Sequence, residues 1–304
     1  MIYLDFTKID SEKREEIVEE FCKKILLGRR KIKDIDDWCK KYLKVNPEKE
    51  YKFEDVIKAT PEELMKLKKY LDGNYDITDI MKEFYSATAS DNRRCYIVDT
   101  LYEGMNVEAK KKLLESLNVV VCPYCNRNYV YSEEDINTCE LDHFLPKDKY
   151  PIFAVSFYNL IPVCPVCNRK KSDKMFWFYP HHTSRELDVV EFSYHVKGSD
   201  YLSNLEQIEV DVKVINDNYN DQLKELELKK IYKHHRDIVQ DVLKKKQVFS
   251  DAYIENFCGE FPEVLSSKKE VEELIYGTPM DAKDYGKRPL TKLTQDIVNE
   301  IKRK

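Results

Sequence analysis

The sequence predicts an α+β protein in which a cysteine-rich central segment lies between two mainly helical regions. Gly is scarce, at 7 of 304 residues, and 35% of the residues are charged, a composition that favours a helical protein with few tight turns. Apolar residues recur at helical spacing towards both ends of the chain, whereas the centre carries apolar runs and two Cys-x-x-Cys pairs. At about 150 residues per domain, the chain is long enough for two domains and for a core without disulfide bonds.

The N-terminal region, residues 1–117, is predicted to be helical. One apolar face, in a segment that ends at Gly28, predicts the first helix: Ile17, Val18, Phe21, Ile25 and Leu26. The run Thr60-Pro61-Glu62-Glu63 spells a capping box with Pro at the first helical position. We interpret the region as a helical bundle that packs and presents surface. A docking module for a partner protein is the alternative, and the sequence does not separate the two.

The C-terminal region, residues 181–304, is predicted to combine a small hairpin with helices. Partial alternation of apolar and polar residues predicts a pair of strands at 187–197 and 205–215. Residues 220–256 are predicted to form one long helix, and a last amphipathic helix follows Pro289.

The charge balance restricts how the chain can meet nucleic acid. Its 51 basic and 56 acidic residues give a net charge of −5, so any contact with phosphates must come from a local basic patch. Asp5 interrupts the N-terminus where a signal peptide needs an apolar core, which predicts a cytoplasmic protein. The uncharged run 150–168 contains three prolines and a Cys-x-x-Cys pair, so we interpret it as core and expect no membrane contact.

Two cysteine pairs predict a structural zinc site. Cys122 and Cys125 form one pair, and Cys164 and Cys167 form the other after a gap of 38 residues. Zinc prefers tetrahedral thiolate ligation, and a two-residue spacing lets both sulfurs of a pair reach one ion. Nine cysteines in a chain without a secretory signal argue against a disulfide framework. The sequence therefore predicts one Zn²⁺ held by four thiolates, with a folded segment inside the zinc loop.

The segment inside the zinc loop carries a second pattern. Asp142-His143 is followed by Asn159-Leu160 and then by Asn168 in a Cys-Asn-x-x-Lys run. With this pattern, residues 118–176 resemble the HNH family of ββα-metal nucleases. The resemblance implies a zinc-stabilised ββα-metal HNH core at 118–180. It also implies metal-dependent hydrolysis of DNA that leaves 5′-phosphate and 3′-hydroxyl ends.

The chemistry of phosphodiester hydrolysis gives these residues roles. His143 is predicted to be the general base, because an ordinary imidazole pKa of about 6.5 lies near working pH. Asp142 and Asn168 are predicted to supply oxygen ligands to a catalytic Mg²⁺ or Mn²⁺, an ion that keeps several of its waters. The resemblance assigns Asn159 to orienting the general-base loop through hydrogen bonds to its backbone. A turn or helix cap is the alternative for Asn159.

Other ligand sets remain open at this stage. The third family position is often His, and this chain has Asn168 there instead, so His181 and His182 are competing candidates for the metal. The spacing of Cys139 and His143 also permits zinc binding, although the four paired cysteines are better placed.

Basic residues near the nuclease pattern are predicted to bind DNA phosphates: Lys147, Arg169, Lys170 and Lys171. A second basic cluster at 229–236 is interleaved with acidic residues, which favours an ordinary solvated helix face.

Three further segments carry a resemblance that concerns biology. The Pro-Lys-x-x-Tyr-Pro run at 146–151, the Asn-Leu-x-x-x-Cys-x-x-Cys-Asn run and the Arg-Pro-Leu-x-Lys-Leu run at 288–293 resemble HNH subunits of prokaryotic anti-phage systems. Septu-type and retron-linked HNH proteins are the nearest of these, and they imply an ATPase partner. The alternatives are a zinc-organised binding or adaptor module without cleavage, and an HNH nuclease that acts on RNA.

Overall fold

The computed structural model describes most of the chain: Leu4, 11–29, 31–82, Phe84, 93–105, 107–117, 119–133, 136–181, 189–260, Glu263 and 265–304. Its contacts divide the chain into two compact units. One unit comprises Tyr3–Val119 and Val130–Thr183, and the other comprises Met1–Ile2, Val120–Tyr129 and Ser184–Lys304. These units differ from the three consecutive regions predicted from sequence, because the N-terminal helices share a unit with most of the nuclease segment. No helix within the described residues combines the length and apolarity needed to cross a membrane.

The first unit begins with helices: α1 Ser11–Leu26, α2 Ile32–Tyr42, α3 Phe53–Lys58, α4 Pro61–Asn74, α5 Ile77–Lys82, α6 Arg93–Cys95 and α7 Val107–Leu117. Between α6 and α7, Tyr96–Tyr102 continues α6 as a π-helix. The predicted apolar face of α1 is buried at Val18, Phe21 and Ile25. The predicted capping box is also present, since Thr60 accepts from the Glu63 amide and Glu63 accepts from the Thr60 amide.

A ββα element follows in the same unit. Strand β1, Glu140–His143, pairs antiparallel with β2, Leu160–Val163, and α8, Pro165–Lys171, follows directly. In the register, His143 lies opposite Leu160 and Glu140 lies opposite Val163. Two 3₁₀ turns, Pro151–Phe153 and Phe157–Asn159, connect the strands. Residues 150–164 are buried throughout, so the interpretation of the uncharged run 150–168 as core is confirmed for this part; beyond it, Val166 is exposed.

The second unit contains the predicted hairpin and the C-terminal helices. Strands β3, Val190–Val196, and β4, Ile208–Val214, pair antiparallel, as predicted. Buried residues alternate with partly exposed ones in β3 and with exposed ones in β4. The helices are α9 Asn220–Glu225, α10 Leu228–Tyr232, α11 Arg236–Val248, α12 Asp251–Glu260, α13 Lys268–Tyr276 and α14 Thr291–Arg303. The predicted α+β class, with helical regions on both sides of a ββα core, is confirmed.

One predicted element is wrong. Residues 220–256 do not form a single helix but are divided among α9, α10, α11 and the start of α12. Glu227 adopts a left-handed backbone with φ of 51°, which ends one helix and redirects the next. At the next break, the His235 amide bonds to the Tyr232 carbonyl, a three-residue spacing that does not continue an α-helix.

Candidate active site and zinc-binding cluster

The predicted metal ligands Asp142, on strand β1, and Asn168, on helix α8, meet at one face of the strand. Glu140 and Asp142 are two residues apart on the strand and therefore share a face. Helix α8 packs on this face, where the Asn168 Nδ2 donates to Glu140 Oε2 at 2.7 Å and the Lys171 Nζ donates to Asp142 Oδ1 at 2.9 Å. The fold thus brings Asp142 and Asn168 to the same face of one strand.

Lys171 requires a correction. It was predicted to contact DNA, but its side chain is 0% exposed and its Nζ also donates to the His143 carbonyl at 2.7 Å. The Phe176 ring covers the ammonium, whose Nζ is 5.7 Å from the ring centroid. A buried ammonium must be paired because burying a lone charge is costly, and the Asp142 carboxylate provides that partner. Lys171 is therefore part of the site's interior and not of a DNA-binding surface.

His143 is the last residue of β1 and is buried. Its Nε2 lies 3.0 Å from the Ala154 carbonyl oxygen. Because a carbonyl only accepts hydrogen bonds, Nε2 carries the proton and Nδ1 keeps its lone pair. Burial lowers the imidazole pKa to about 3, so the ring is neutral at neutral pH. The ring is therefore unprotonated and able to accept a proton at Nδ1, but burial has moved its pKa well below the working pH that made it a candidate base in the sequence.

Asn159 holds the loop that follows β1. Its side chain is 0% exposed, and its Oδ1 accepts from the Leu145 amide at 2.7 Å. Its Nδ2 donates to the carbonyls of Leu145, at 3.2 Å, and Phe153, at 2.9 Å. These contacts are of the kind that the HNH resemblance assigned to Asn159, namely side-chain hydrogen bonds to the backbone beside the general base.

The donor atoms on this face suit a hard divalent cation. Asp142 and Asn168 supply a carboxylate and an amide oxygen, which are ligands that Mg²⁺ prefers. Glu140, which the sequence reasoning missed, adds a second carboxylate, and its bond to the Asn168 Nδ2 makes the amide oxygen the atom of Asn168 that can face a cation. Alternation along the strand is the signal that would have identified Glu140.

The four predicted zinc cysteines lie together. The Sγ atoms of Cys122, Cys125, Cys164 and Cys167 are all within 4.8 Å of one another, and all four residues are buried. Tetrahedral Zn–S bonds of about 2.3 Å place sulfur atoms roughly 3.8 Å apart, so the cluster fits one Zn²⁺ with modest contraction. A closed four-thiolate shell suits a structural ion rather than a catalytic one.

Two of the competing ligands, His181 and Cys139, have other hydrogen-bond partners. His181 is buried, its Nε2 donates to the Leu160 carbonyl at 3.1 Å, and its ring packs against Tyr158 and Tyr179. The Cys139 Sγ bonds the Glu140 carbonyl and is not part of the cysteine cluster. His182 lies outside the described residues.

The first cysteine pair is followed by Asn126, which is buried and has a left-handed backbone with φ of 52°. Its Nδ2 donates to the Tyr285 carbonyl at 2.8 Å, and its Oδ1 accepts from the Lys292 amide at 3.0 Å. Its own carbonyl accepts from the Leu290 amide at 2.6 Å. The 288–293 run, noticed in the sequence without a structural role, therefore holds the backbone beside Cys125.

The other predicted DNA-binding residues differ in exposure. Arg169 and Lys170 are exposed on α8. Lys147 is half-buried, and its Nζ lies 3.2 Å from Glu103 Oε1. The second basic cluster carries internal ion pairs, such as Lys230 with Glu227 at 2.9 Å, which agrees with the interpretation of a solvated face.

Comparison with known proteins identifies the central segment. Residues 122–174 match the family model described as HNH endonuclease, so this segment is similar to the domains of that family. Over 95 residues the chain is 37% identical to the Septu protein PtuB of Bacillus thuringiensis. That alignment covers 30% of this chain and 35% of the relative, so the chain spans about a third of that protein's length. No solved structure matches the chain significantly.

Proposed function

We propose that this chain is a metal-dependent HNH endonuclease that hydrolyses phosphodiester bonds in DNA. The observation that carries the proposal is the arrangement around β1. A neutral imidazole with a fixed tautomer ends strand β1 at His143. The oxygen donors are Asp142 on β1 and Asn168 on helix α8, which packs on that strand. Proton abstraction from water and cation binding are the two capacities that this hydrolysis requires.

In the proposed mechanism, each of these residues has one task. The Nδ1 of His143 accepts a proton from the attacking water, while the Ala154 carbonyl holds the opposite side of the ring. Asn159 keeps the backbone at Leu145 and Phe153 in place, so that the His143 ring keeps its position relative to the attacking water. Asp142 and Asn168 would hold Mg²⁺ or Mn²⁺, which when bound stabilises the charge that develops on the phosphate and the leaving oxygen. The four-cysteine cluster would hold a structural Zn²⁺.

The proposed biological setting is prokaryotic anti-phage defence, with an ATPase as partner. Similarity to a Septu protein supports it, together with the three sequence runs that resemble HNH subunits of such systems. Cleavage triggered by a partner would also account for a nuclease of net negative charge, because such a chain does not bind nucleic acid indiscriminately.

The test is cleavage of plasmid DNA and of a matched RNA by the full chain, with Mg²⁺, with Mn²⁺ and with EDTA. We expect metal-dependent cleavage of DNA, and we expect His143→Ala to lower the rate by roughly 10²- to 10⁴-fold. His195→Ala is the matched control, since His195 is exposed on β3. Wild-type cleavage by folded His143→Ala would disprove the assigned site, and cleavage of RNA alone would change the substrate.

The ligand variant should be Asp142→Asn rather than Asp142→Ala. Truncation to Ala would leave the Lys171 ammonium buried without its carboxylate, which costs about 3–5 kcal/mol of stability. The amide keeps a hydrogen-bond acceptor for Lys171 while weakening cation binding. We expect its cleavage defect to be relieved in part by high Mg²⁺ or by Mn²⁺.

The same ion pair favours the second candidate, an adaptor without cleavage. The Lys171 ammonium already neutralises the Asp142 carboxylate, and an inert site would look the same. Nucleic-acid binding without cleavage under every metal tested, by wild type and by His143→Ala equally, would select this candidate.

A further inference from the structure

A tyrosine from the N-terminal helices reaches the proposed general base. The π-helix Tyr96–Tyr102 is closed by a hydrogen bond from the Glu103 amide to the Val98 carbonyl at 2.9 Å, a five-residue spacing. π-Helical turns widen a helix locally and are frequent at functional sites. Gly104 ends the segment, where a Cβ would lie only 2.3 Å from the Thr100 carbonyl oxygen. The backbone that follows Tyr102 thus packs closely on the preceding turn.

Tyr102 touches β1 at two residues. Its hydroxyl donates to the Leu141 carbonyl at 2.9 Å. Its ring centroid lies 4.4 Å from that of His143, with the ring planes at 62°. The hydroxyl bond fixes the ring against the strand, and the ring in turn limits the orientations that the imidazole can adopt.

The imidazole of His143 is therefore held from two directions. The Ala154 carbonyl fixes which nitrogen is protonated, but one hydrogen bond leaves the ring able to swing about it. The Tyr102 ring packs against the imidazole itself and restricts that motion. The Lys147 Nζ lies 5.0 Å from the centroid of the same tyrosine ring and pairs with Glu103, so the contact is reinforced by the neighbouring residue.

We propose that Tyr102 is a positioning residue for His143, and that the N-terminal helices thereby complete the nuclease site rather than only supporting it. This inference rests on the proposed function, because it assumes that His143 is the general base. Tyr102 acts through the imidazole and needs no contact with substrate. Its ring holds the base in the orientation that proton transfer requires.

The experiment compares three variants of the full chain in single-turnover cleavage of plasmid DNA with Mg²⁺. Tyr102→Leu should lower the cleavage rate constant by about 10²-fold with little change in the DNA concentration at half-saturation, since misplacing a catalytic group affects the chemical step. Tyr102→Phe keeps the ring and loses one hydrogen bond, so its rate should fall only about 2- to 10-fold. Tyr96→Leu, which removes a half-buried tyrosine from the same π-helix, should cleave like wild type.

A spectroscopic readout tests the geometry without any assay of cleavage. In wild-type protein, the ring protons of Tyr102 and His143 should show a nuclear Overhauser effect, and the imidazole ¹⁵N shifts should report the Nε2–H tautomer. Tyr102→Leu should move the His143 resonances, whereas Tyr96→Leu should not. The Overhauser effect in wild-type protein keeps the inference falsifiable even if Tyr102→Leu fails to fold, and Tyr102→Phe then provides the cleavage comparison.

The outcomes separate this inference from the proposed function. If His143→Ala is inactive while folded Tyr102→Leu cleaves at the wild-type rate, Tyr102 has no positioning role and the proposed function stands. Absence of the Tyr102–His143 Overhauser effect in wild type would also overturn the inference. Wild-type cleavage by His143→Ala would instead remove the proposed function, and this inference with it.

Discussion

Two six-residue segments of this chain have nearly the same sequence and different structures. Cys122–Arg127 reads Cys-Pro-Tyr-Cys-Asn-Arg, and Cys164–Arg169 reads Cys-Pro-Val-Cys-Asn-Arg. We call them the first and second knuckle. Both begin with the same local turn, in which the Asn amide bonds to the carbonyl of the first Cys, at 2.8 Å and 3.1 Å respectively.

The two knuckles diverge at the asparagine. In the first knuckle, Asn126 turns left-handed, is fully buried and bonds the backbone of the 285–292 segment. In the second knuckle, Asn168 continues helix α8 and presents its amide to Glu140. The second of the two residues between the cysteines follows the same division, since Tyr124 is 0% exposed and Val166 is 42% exposed. One copy of the motif serves the fold, and the other serves the proposed site.

The largest expected effect is one that the knuckles share. Cys122→Ser and Cys164→Ser should each open the thiolate shell, because either loss removes one of four zinc ligands. Structural zinc contributes on the order of 10–16 kcal/mol in small zinc domains, so both variants should lose zinc and melt at lower temperature. Elemental analysis and thermal melting are the measurements. Full zinc content in either variant would show that the cluster is not the zinc site.

Replacing the asparagine of each knuckle should have different effects on stability and on cleavage. Asn126→Ala removes partners from the buried Lys292 amide and Tyr285 carbonyl, at about 1–3 kcal/mol for each group left unpaired. Asn168→Ala removes a proposed metal ligand and should reduce cleavage with a smaller loss of stability. Urea unfolding and the cleavage rate of the folded protein, measured on both variants, test this. A larger loss of stability for Asn168→Ala, together with a larger loss of cleavage for Asn126→Ala, would contradict the division of roles. Asn218→Ala is the control, because Asn218 is exposed.

Acid should distinguish two histidines, one in each unit. His181 is buried beside β2, and burial lowers its pKa to about 4. The unfolded chain, with a histidine pKa near 6.5, then binds more protons than the folded chain between pH 6.5 and 4. The stability that depends on neutral His181 is therefore complete above about pH 6.5 and is lost as the pH falls, by about 2 kcal/mol at pH 5.

His235 should follow the same direction with a smaller change. Burial and the neighbouring Arg127 lower its pKa, and its Nε2 accepts from Arg127 Nε at 2.8 Å, a bond that protonation must break. Urea unfolding between pH 7 and pH 4.5 should give a flatter pH dependence for His181→Gln than for His235→Gln. If the free energy of unfolding of the wild-type protein does not decrease as the pH is lowered from about 6.5, both assignments are wrong.

The smallest expected difference between the knuckles is in the salt dependence of DNA binding, tested at the basic residues that follow each asparagine. Replacing Arg169 and Lys170 with Gln should flatten the dependence of log K on log salt by about 1.8 if both contact phosphates. Arg127→Gln should leave that slope unchanged, because Arg127 is engaged with His235. DNA binding by the His143→Ala background at several salt concentrations provides the measurement. An unchanged slope in the double variant would move the binding face elsewhere, with 229–236 as the first candidate.

Much of the site could be predicted because its signals are short-range. Thiolate spacing depends on two intervening residues, and a capping box depends on four consecutive residues, so both are legible in the sequence. The HNH pattern likewise indicated Asp142, His143, Asn159 and Asn168, and the fold places them on β1, α8 and the connecting turn. The boundaries of the 220–256 helices could not be predicted, because a left-handed Glu227 has no local sequence signal.

The amino-acid sequence was sufficient to predict the chemical groups and their local geometry: the two cysteine pairs, the α+β class with its ββα core, and the proposed base with its oxygen donors. Contacts distant in sequence, by contrast, determine how the two nearly identical knuckles are used. Asn126 is held by a residue 166 positions away, Lys171 is buried by the carboxylate that it neutralises, and Tyr102 meets His143 from a separate helix. The physical reason is that burial and hydrogen-bond partners come from contacts distant in sequence, which no local spacing encodes.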